Sequence, residues 1–177
     1  MNTSTILLAT LFEHKDLYKI CIGNYKYIAH QNALDYNKKL YSLSEILDNN
    51  YSSTICMNHF SVFLKKNIDP LLQLLDNDVN IILPINSHMP LELIPFYIKN
   101  SAWSKKFIEL YVQSKCYNTY SFISNFYNFD QPEILINDTV ISDKLNKNGT
   151  IVERYISMPI DAIKQTTNHR NVSLGIL

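Results

Sequence analysis

Two dipeptides in this chain carry side chains suited to catalysis or ligand binding. Asp130–Gln131 joins a carboxylate to a carboxamide. Such a pair can orient a hydroxyl nucleophile or support positive charge developing in a transition state. The same carboxylate at the start of a helix is equally explained by the helix macrodipole. Asn58–His59 follows the apolar run Thr54–Met57, which puts it where a strand ends and ligands gather, although a surface turn has the same composition. Asn24 and Tyr27 can line a pocket, or serve as a helix N-cap and a core aromatic. Asn100 can contact hydroxyl groups or cap the helix that follows it, and Trp103 reads as core. His169 stands beside Arg170 and can meet a diphosphate, or lie in an exposed tail. Cys21, Cys56 and Cys116 are far apart and form no C-x-x-C pair, the pattern of buried thiols and not of a disulfide framework or zinc site.

The elements that must position these residues follow from hydrophobic pattern. Thr3–Phe12, Thr54–Met57, Val79–Pro84 and Ile94–Lys99 read as buried strands, and Ile151–Met158 as a late one. Asn24–Leu34 reads as a helix broken by Asp35–Tyr36–Asn37, and Ser42–Asp48 as a second amphipathic segment. Asp69–Pro70 opens a helix ending near Leu75. The spacing of Trp103, Phe107, Leu110 and Tyr111 predicts a helix from Ser101, and residues 117–129 read as a loop with a helical turn. Asp130–Glu133 has a helix-start pattern. Alternating strands and helices predict one compact α/β domain over residues 1–177, with a mostly parallel sheet of about five or six strands. Ligand would then bind beyond Met57, Leu83 and Lys99, at the strand carboxyl ends.

Composition narrows the function. The chain has 177 residues, of which 46% are hydrophobic and 18% charged, so it can build a core. Sixteen basic residues balance sixteen acidic ones, against the basic excess of a general nucleic-acid binder. Three glycines supply neither a P-loop nor a G-x-G-x-x-G turn. The apolar runs are too short for a membrane span, and the N-terminus lacks a secretory pattern, so a cytoplasmic location is expected.

Four segments, in order, resemble the sugar-nucleotide glycosyltransferases of the GT-A fold, most closely the galactosyl/xylosyltransferase group called family 34. Asn24–His30 with Asp35–Tyr36 is similar to that group's helix after the first strand. Thr54–Leu64 followed by Ile68–Leu71 looks like its strand ending in W-x-D-x-D. Phe96–Phe107 resembles the segment around N-S-x-W-S, the most specific match, and Phe129–Leu135 resembles the D-Q-x-A-L motif. The resemblance spans about residues 5–137. It implies a Rossmann-like nucleotide-sugar fold and retaining transfer of a hexose or pentose from a nucleotide sugar, a UDP-sugar foremost, to a glycan hydroxyl. Asp130 and Gln131 would then be catalytic. Asn24, Tyr27, Asn58 and Asn100 would bind the donor, and His59 and His169 would be metal ligands beside Mn²⁺. At the family's D-x-D this chain has Asn58–His59–Phe60, with neither carboxylate. Paired carboxylates hold the cation against the diphosphate, so their replacement supports a second reading. In that reading the chain is a catalytically inactive homologue that binds a ligand or a protein partner.

Overall fold

A computed structural model describes residues 5–48, 50–63, 66–69, 79–83, 89–127, 133–136, 142–145 and 151–154. The chain is α/β. Strand β1 (Ile6–Phe12) leads into helix α1 (Tyr18–Gln31), which returns to β2 (Asp35–Leu40). A 3-10 turn at Glu45–Leu47 precedes β3 (Ser53–Asn58), and a tight reversal then gives β4 (Ser61–Phe63). Strands β5 (Ile81–Leu83) and β6 (Phe96–Lys99) flank a second 3-10 turn at Leu91–Leu93. Helices α2 (Ala102–Ser114) and α3 (Thr119–Phe126) follow, then β7 (Ile134–Ile136), β8 (Ser142–Leu145) and β9 (Ile151–Arg154).

Six strands form one sheet in the order β2-β1-β3-β6-β5-β7, and β4-β8-β9 form a small second sheet. In the larger sheet β1 is parallel to β2 and β3, and β5 is parallel to β7. Strand β6 runs against both neighbours, β3 and β5. The expectation of a mostly parallel sheet is therefore corrected: the sheet is mixed. An apolar run looks the same in either direction, and Phe96–Lys99 is buried between two strands whichever way it points.

Odd and even positions of the strands feed two cores. Leu7, Ala9, Cys56 and Ile98 pack beneath Phe107 of α2 and Phe122 of α3. On the other face Leu8, Ile55, Met57 and Tyr97 pack beneath Tyr25 and Ile28 of α1. The two-residue alternation of each strand thus meets a helix on either side.

Several boundaries differ from the sequence reading. Helix α1 begins at Tyr18 and runs through Gly23, the residue after which the pattern placed its start. Its buried positions Cys21, Ile22, Tyr25, Ile28 and Ala29 keep helical spacing across the glycine, and packing outweighs the propensity cost. The segment read as a helix break is the edge strand β2, largely exposed and so without an apolar signal. Residues 117–129 contain a full helix, α3, capped where Asn118 Oδ1 accepts from the Ser121 amide at 2.9 Å. The readings of a helix after Pro70 and of one starting at Asp130 lie outside the described residues, as does the part of the last strand beyond Arg154.

Candidate functional site

Strand order singles out one place on the sheet edge. The chain leaves β1 through α1 to reach β2 on one side, then crosses back to place β3 on the other. The connections diverge at the carboxyl ends of β1 and β3, the usual ligand position in open α/β sheets. A one-residue bulge at Leu11, between the Thr10–Met57 and Phe12–Asn58 pairings, redirects the last residue of β1 at this edge. Residues 13–17 then lead directly into α1.

His59 stands at this end of the sheet, directly after β3. Its amide donates to Phe12 O at 2.9 Å, and its carbonyl accepts from the Cys21 thiol at 3.4 Å. The ring meets Tyr18, the first residue of α1, edge-on at 5.6 Å between centroids. The amide of His14 donates to His59 Nδ1 at 3.1 Å, so that nitrogen carries the lone pair. A neutral imidazole must then hold its proton on Nε2. This Nε2 is buried and has no hydrogen-bond partner. Burial, the largest influence on the ring, pushes its pKa below the ordinary histidine value, partly opposed by the nearby Glu13 carboxylate.

Asn58 is fully buried, and its side chain shapes the turn it begins. Oδ1 accepts from the Phe60 amide at 2.9 Å and from the Ser61 hydroxyl at 3.4 Å, an Asx-type turn. Its Nδ2, like His14 Nδ1, is buried without a partner. Two residues of α1 hold this reversal from below. The Tyr25 hydroxyl lies 2.5 Å from Asn58 O and 2.6 Å from Ser61 O, sharing its one hydrogen between them. Asn24 Nδ2 donates to Phe63 O at 3.2 Å, and Asn24 Oδ1 accepts from the Phe63 amide at 2.8 Å. The carboxamide thus pairs with β4 much as a neighbouring strand would.

The start of α1 lies at the same end of the sheet. Leu17 precedes the helix and offers no side-chain cap, and the first turn contains no acidic residue. Oriented amides there favour negative charge. The outer rim is aromatic: Phe12 and Phe60 stack at 5.5 Å, with His14 at 5.1 Å from Phe60. Cys21 lies beneath it, and burial pushes its pKa up to about 12, so the thiol stays protonated and is no nucleophile.

Of the residues singled out from sequence, Asn24, Asn58 and His59 meet at this reversal. Tyr27 lies nine residues along α1 from Tyr18, about 14 Å away by helical rise, with the Lys66 ammonium 5.5 Å from its ring centroid. Asn100 is at the opposite edge of the sheet. Because β6 runs antiparallel to β3, Lys99 pairs with Ser53, and Asn100 Nδ2 donates to Tyr51 O at 3.0 Å. The six residues of β3 separate it from His59 by about 20 Å. Asn100 is therefore not a neighbour of Asn58, and the ligand position expected beyond Lys99 is corrected with it. Trp103 stacks on Phe107 at 5.2 Å as part of the packing around α2. Asp130, Gln131 and His169 lie outside the described residues.

The Mn²⁺ implied by the family resemblance does not fit residues 58–60. Asn58 Oδ1 is committed to the turn, His59 Nδ1 to the His14 amide, and the proton on Nε2 removes the lone pair a metal needs. Among the described residues, no group of three or more His, Cys, Asp or Glu could hold a metal ion.

Sequence reasoning missed His14 and Tyr18, which belong to no motif, and gave no role to Tyr25 within the segment Asn24–His30. The usable signal was positional: the loop after the first strand of an α/β sheet and the first helical turn behind it. A separate groove of about 260 Å³ lies between the 3-10 turn at Glu45–Leu47 and α2, lined by Leu47, Lys105, Ile108 and Val112. No described helix is long and apolar enough to cross a membrane. No family model and no curated protein matches this chain.

Proposed function

We propose that this chain is a GT-A-like glycosyltransferase domain that takes a nucleotide-activated sugar, a UDP-sugar foremost, at the carboxyl ends of β1 and β3. The observation that carries the reading is the switch point itself. The dipeptide Asn58–His59, aligned by resemblance with the family's donor-side motif, stands beside an uncapped helix start at that edge. In this reading the aromatic rim of Phe12 and Phe60 faces the nucleotide, and the diphosphate lies toward the first turn of α1. Asp130 and Gln131 orient the acceptor hydroxyl and support oxocarbenium-like charge as the nucleoside diphosphate leaves, with retention of configuration.

One observation favours the second reading, a binding protein without catalysis. The Asn58 carboxamide closes its own turn where the family has a metal-binding carboxylate. Nothing among residues 58–60 then draws charge from a departing diphosphate as a cation would.

Thermal denaturation with UDP, GDP, CMP and UDP-sugars, each with and without Mn²⁺, tests the proposal. A ligand bound only by the folded state raises Tm by mass action. A UDP or UDP-sugar shift together with release of UDP in the presence of glycan acceptors is the expected result for a transferase. A shift without turnover supports the inactive homologue. Absence of a shift with every nucleotide overturns the transferase and leaves an inactive homologue or interaction protein, to be pursued through a protein partner.

A further inference from the structure

The segment between β1 and α1 reaches the sheet through a single hydrogen bond. Strand β1 ends at Phe12, and Leu17, just before the helix, is buried. Between them Glu13, Lys15 and Asp16 are exposed and His14 is half-buried, so no aliphatic side chain anchors the segment. Among the described residues, its hydrogen bond to the sheet end is the one from the His14 amide to His59 Nδ1, at 3.1 Å. The bond from the Leu17 amide to His14 O, also at 3.1 Å, is internal to the loop.

The acceptor in the first bond is a titratable nitrogen. The amide can donate to Nδ1 only while that atom keeps its lone pair. An imidazolium carries N–H on both nitrogens, so protonation sets two donors face to face at this contact. The neutral ring already leaves Nε2 without an acceptor. The titratable groups around the ring are Glu13 and His14 in the loop and Tyr18, Cys21 and Tyr25 on α1. The Glu13 carboxylate favours the cation, and the His14 imidazole, once charged, opposes it. Burial keeps Cys21 and Tyr25 neutral, so neither supplies a counter-charge.

We propose that His59 is a proton-operated latch: its neutral Nδ1 holds the β1–α1 loop against the end of β3, and its imidazolium releases residues 13–16. Phe12 and Leu17 stay in place, because the bond from the His59 amide to Phe12 O at 2.9 Å has no titratable partner and Leu17 remains buried. Release brings the ring to water, where it binds a proton more readily than in the closed form, so acid favours the open loop by linkage. The latch is closed above the ordinary histidine value of 6.5 and opens as pH falls through the lower value of the buried ring. The device needs no nucleotide and stands apart from the functional proposal, although it would reshape the carboxyl end of β1 where that proposal puts the ligand.

The test is amide hydrogen exchange with histidine side-chain nitrogen NMR on the full chain, from about pH 7.5 down to pH 5. Exchange is expressed as protection factors, which removes the intrinsic pH dependence of the chemistry. The His14 amide should lose about tenfold or more of its protection in step with the titration of His59. The amides of Ala9 and Cys56 should keep theirs, because the sheet stays folded. His59→Asn retains an acceptor oxygen on Cγ and takes up no proton, so protection at His14 should persist and be flat with pH. His59→Leu offers no acceptor and should lose that protection throughout the range. His14→Ala keeps the amide, removes the second imidazole and should preserve the pH dependence. Titration of His59 with no change in His14 protection overturns the proposal, as does joint loss of protection at Ala9 and Cys56. So does a pH dependence that survives in His59→Asn or vanishes in His14→Ala. Should the His59 variants fail to fold, wild type and His14→Ala alone decide the matter.

Discussion

Removing the Tyr25 hydroxyl leaves Asn58 O and Ser61 O, two buried carbonyls, without the donor they share. Tyr25→Phe is expected to lower unfolding stability by about 1–3 kcal/mol, read from urea denaturation. It should also perturb the His59 side-chain nitrogen signals, because His59 sits inside the turn that Tyr25 holds. An unchanged midpoint would remove the role assigned to that hydroxyl. His59 carries a pH signature. Its folded pKa is depressed by burial, so below the ordinary value of 6.5 the unfolded chain binds the extra proton first. This contribution to stability is complete above pH 6.5 and declines as pH falls toward the folded pKa. His59→Gln should flatten that decline in urea midpoints measured across it. Glu45 acts lower on the scale. Hydrogen bonds from Lys39 and Ser42 hold its pKa near 2 against an ordinary 4.5, so its contribution is present above 4.5 and lost on acidifying toward 2. The gap between wild type and Glu45→Gln should narrow over that interval. How much of the site was legible differs by residue. Asn58 and His59 were recognisable because a polar pair directly after a buried run marks a strand end. Asn24 was singled out as a pocket residue or helix N-cap, but it lies inside α1 and its partner, the backbone of Phe63, is 39 residues away and has no sequence signature. Tyr25 looked like any aromatic on an apolar face.

Among the elements, helix ends obey local chemistry closely enough to be tested one at a time. Ser101 caps α2: its Oγ accepts from the Ser104 amide at 3.1 Å and donates to Asn80 Oδ1 at 2.5 Å. Ser101→Ala should cost about 1–2 kcal/mol in urea denaturation, and a neutral result would show that the cap is dispensable. At the other end of α1, Ala33 follows the helix with φ of 52°, while the Leu34 amide reaches back to Ala29 O at 2.9 Å. This left-handed closing geometry favours glycine. Ala33→Gly is expected to raise stability by about 0.5 kcal/mol, relieved backbone strain slightly outweighing the freer unfolded chain. A lower midpoint would count against it. Helix α2 was legible from sequence because Trp103, Phe107, Leu110 and Tyr111 share one face, although the cap is Ser101 and not Asn100. The start of α1 was not, since Gly23 imitates a boundary when its tertiary contacts are unseen. Strand β2 was hidden for the opposite reason: Asp35–Leu40 is an edge with little to bury, so its pairing with β1 leaves no periodic trace.

At the scale of the whole molecule, the alternation of buried runs and amphipathic segments was enough to read an α/β fold. Strand direction was not readable, because it depends on how each connection crosses the sheet and not on the composition of the strand. That single ambiguity moved Asn100 to the far edge. The same strand has a consequence for how the chain comes together. The block β2-β1-β3 and the block β5-β7 make no pairing with each other, and the four residues Phe96–Lys99 join them. Each block alone lacks half of its neighbours, and parallel pairings between distant segments form slowly. Insertion of β6 is thus the event that makes the sheet continuous, and its amides can be released to solvent only by separating the halves. Hydrogen exchange at Tyr97 and Ile98 should therefore be among the slowest in the chain and follow global unfolding, whereas the amides of β2 exchange through local opening at the edge.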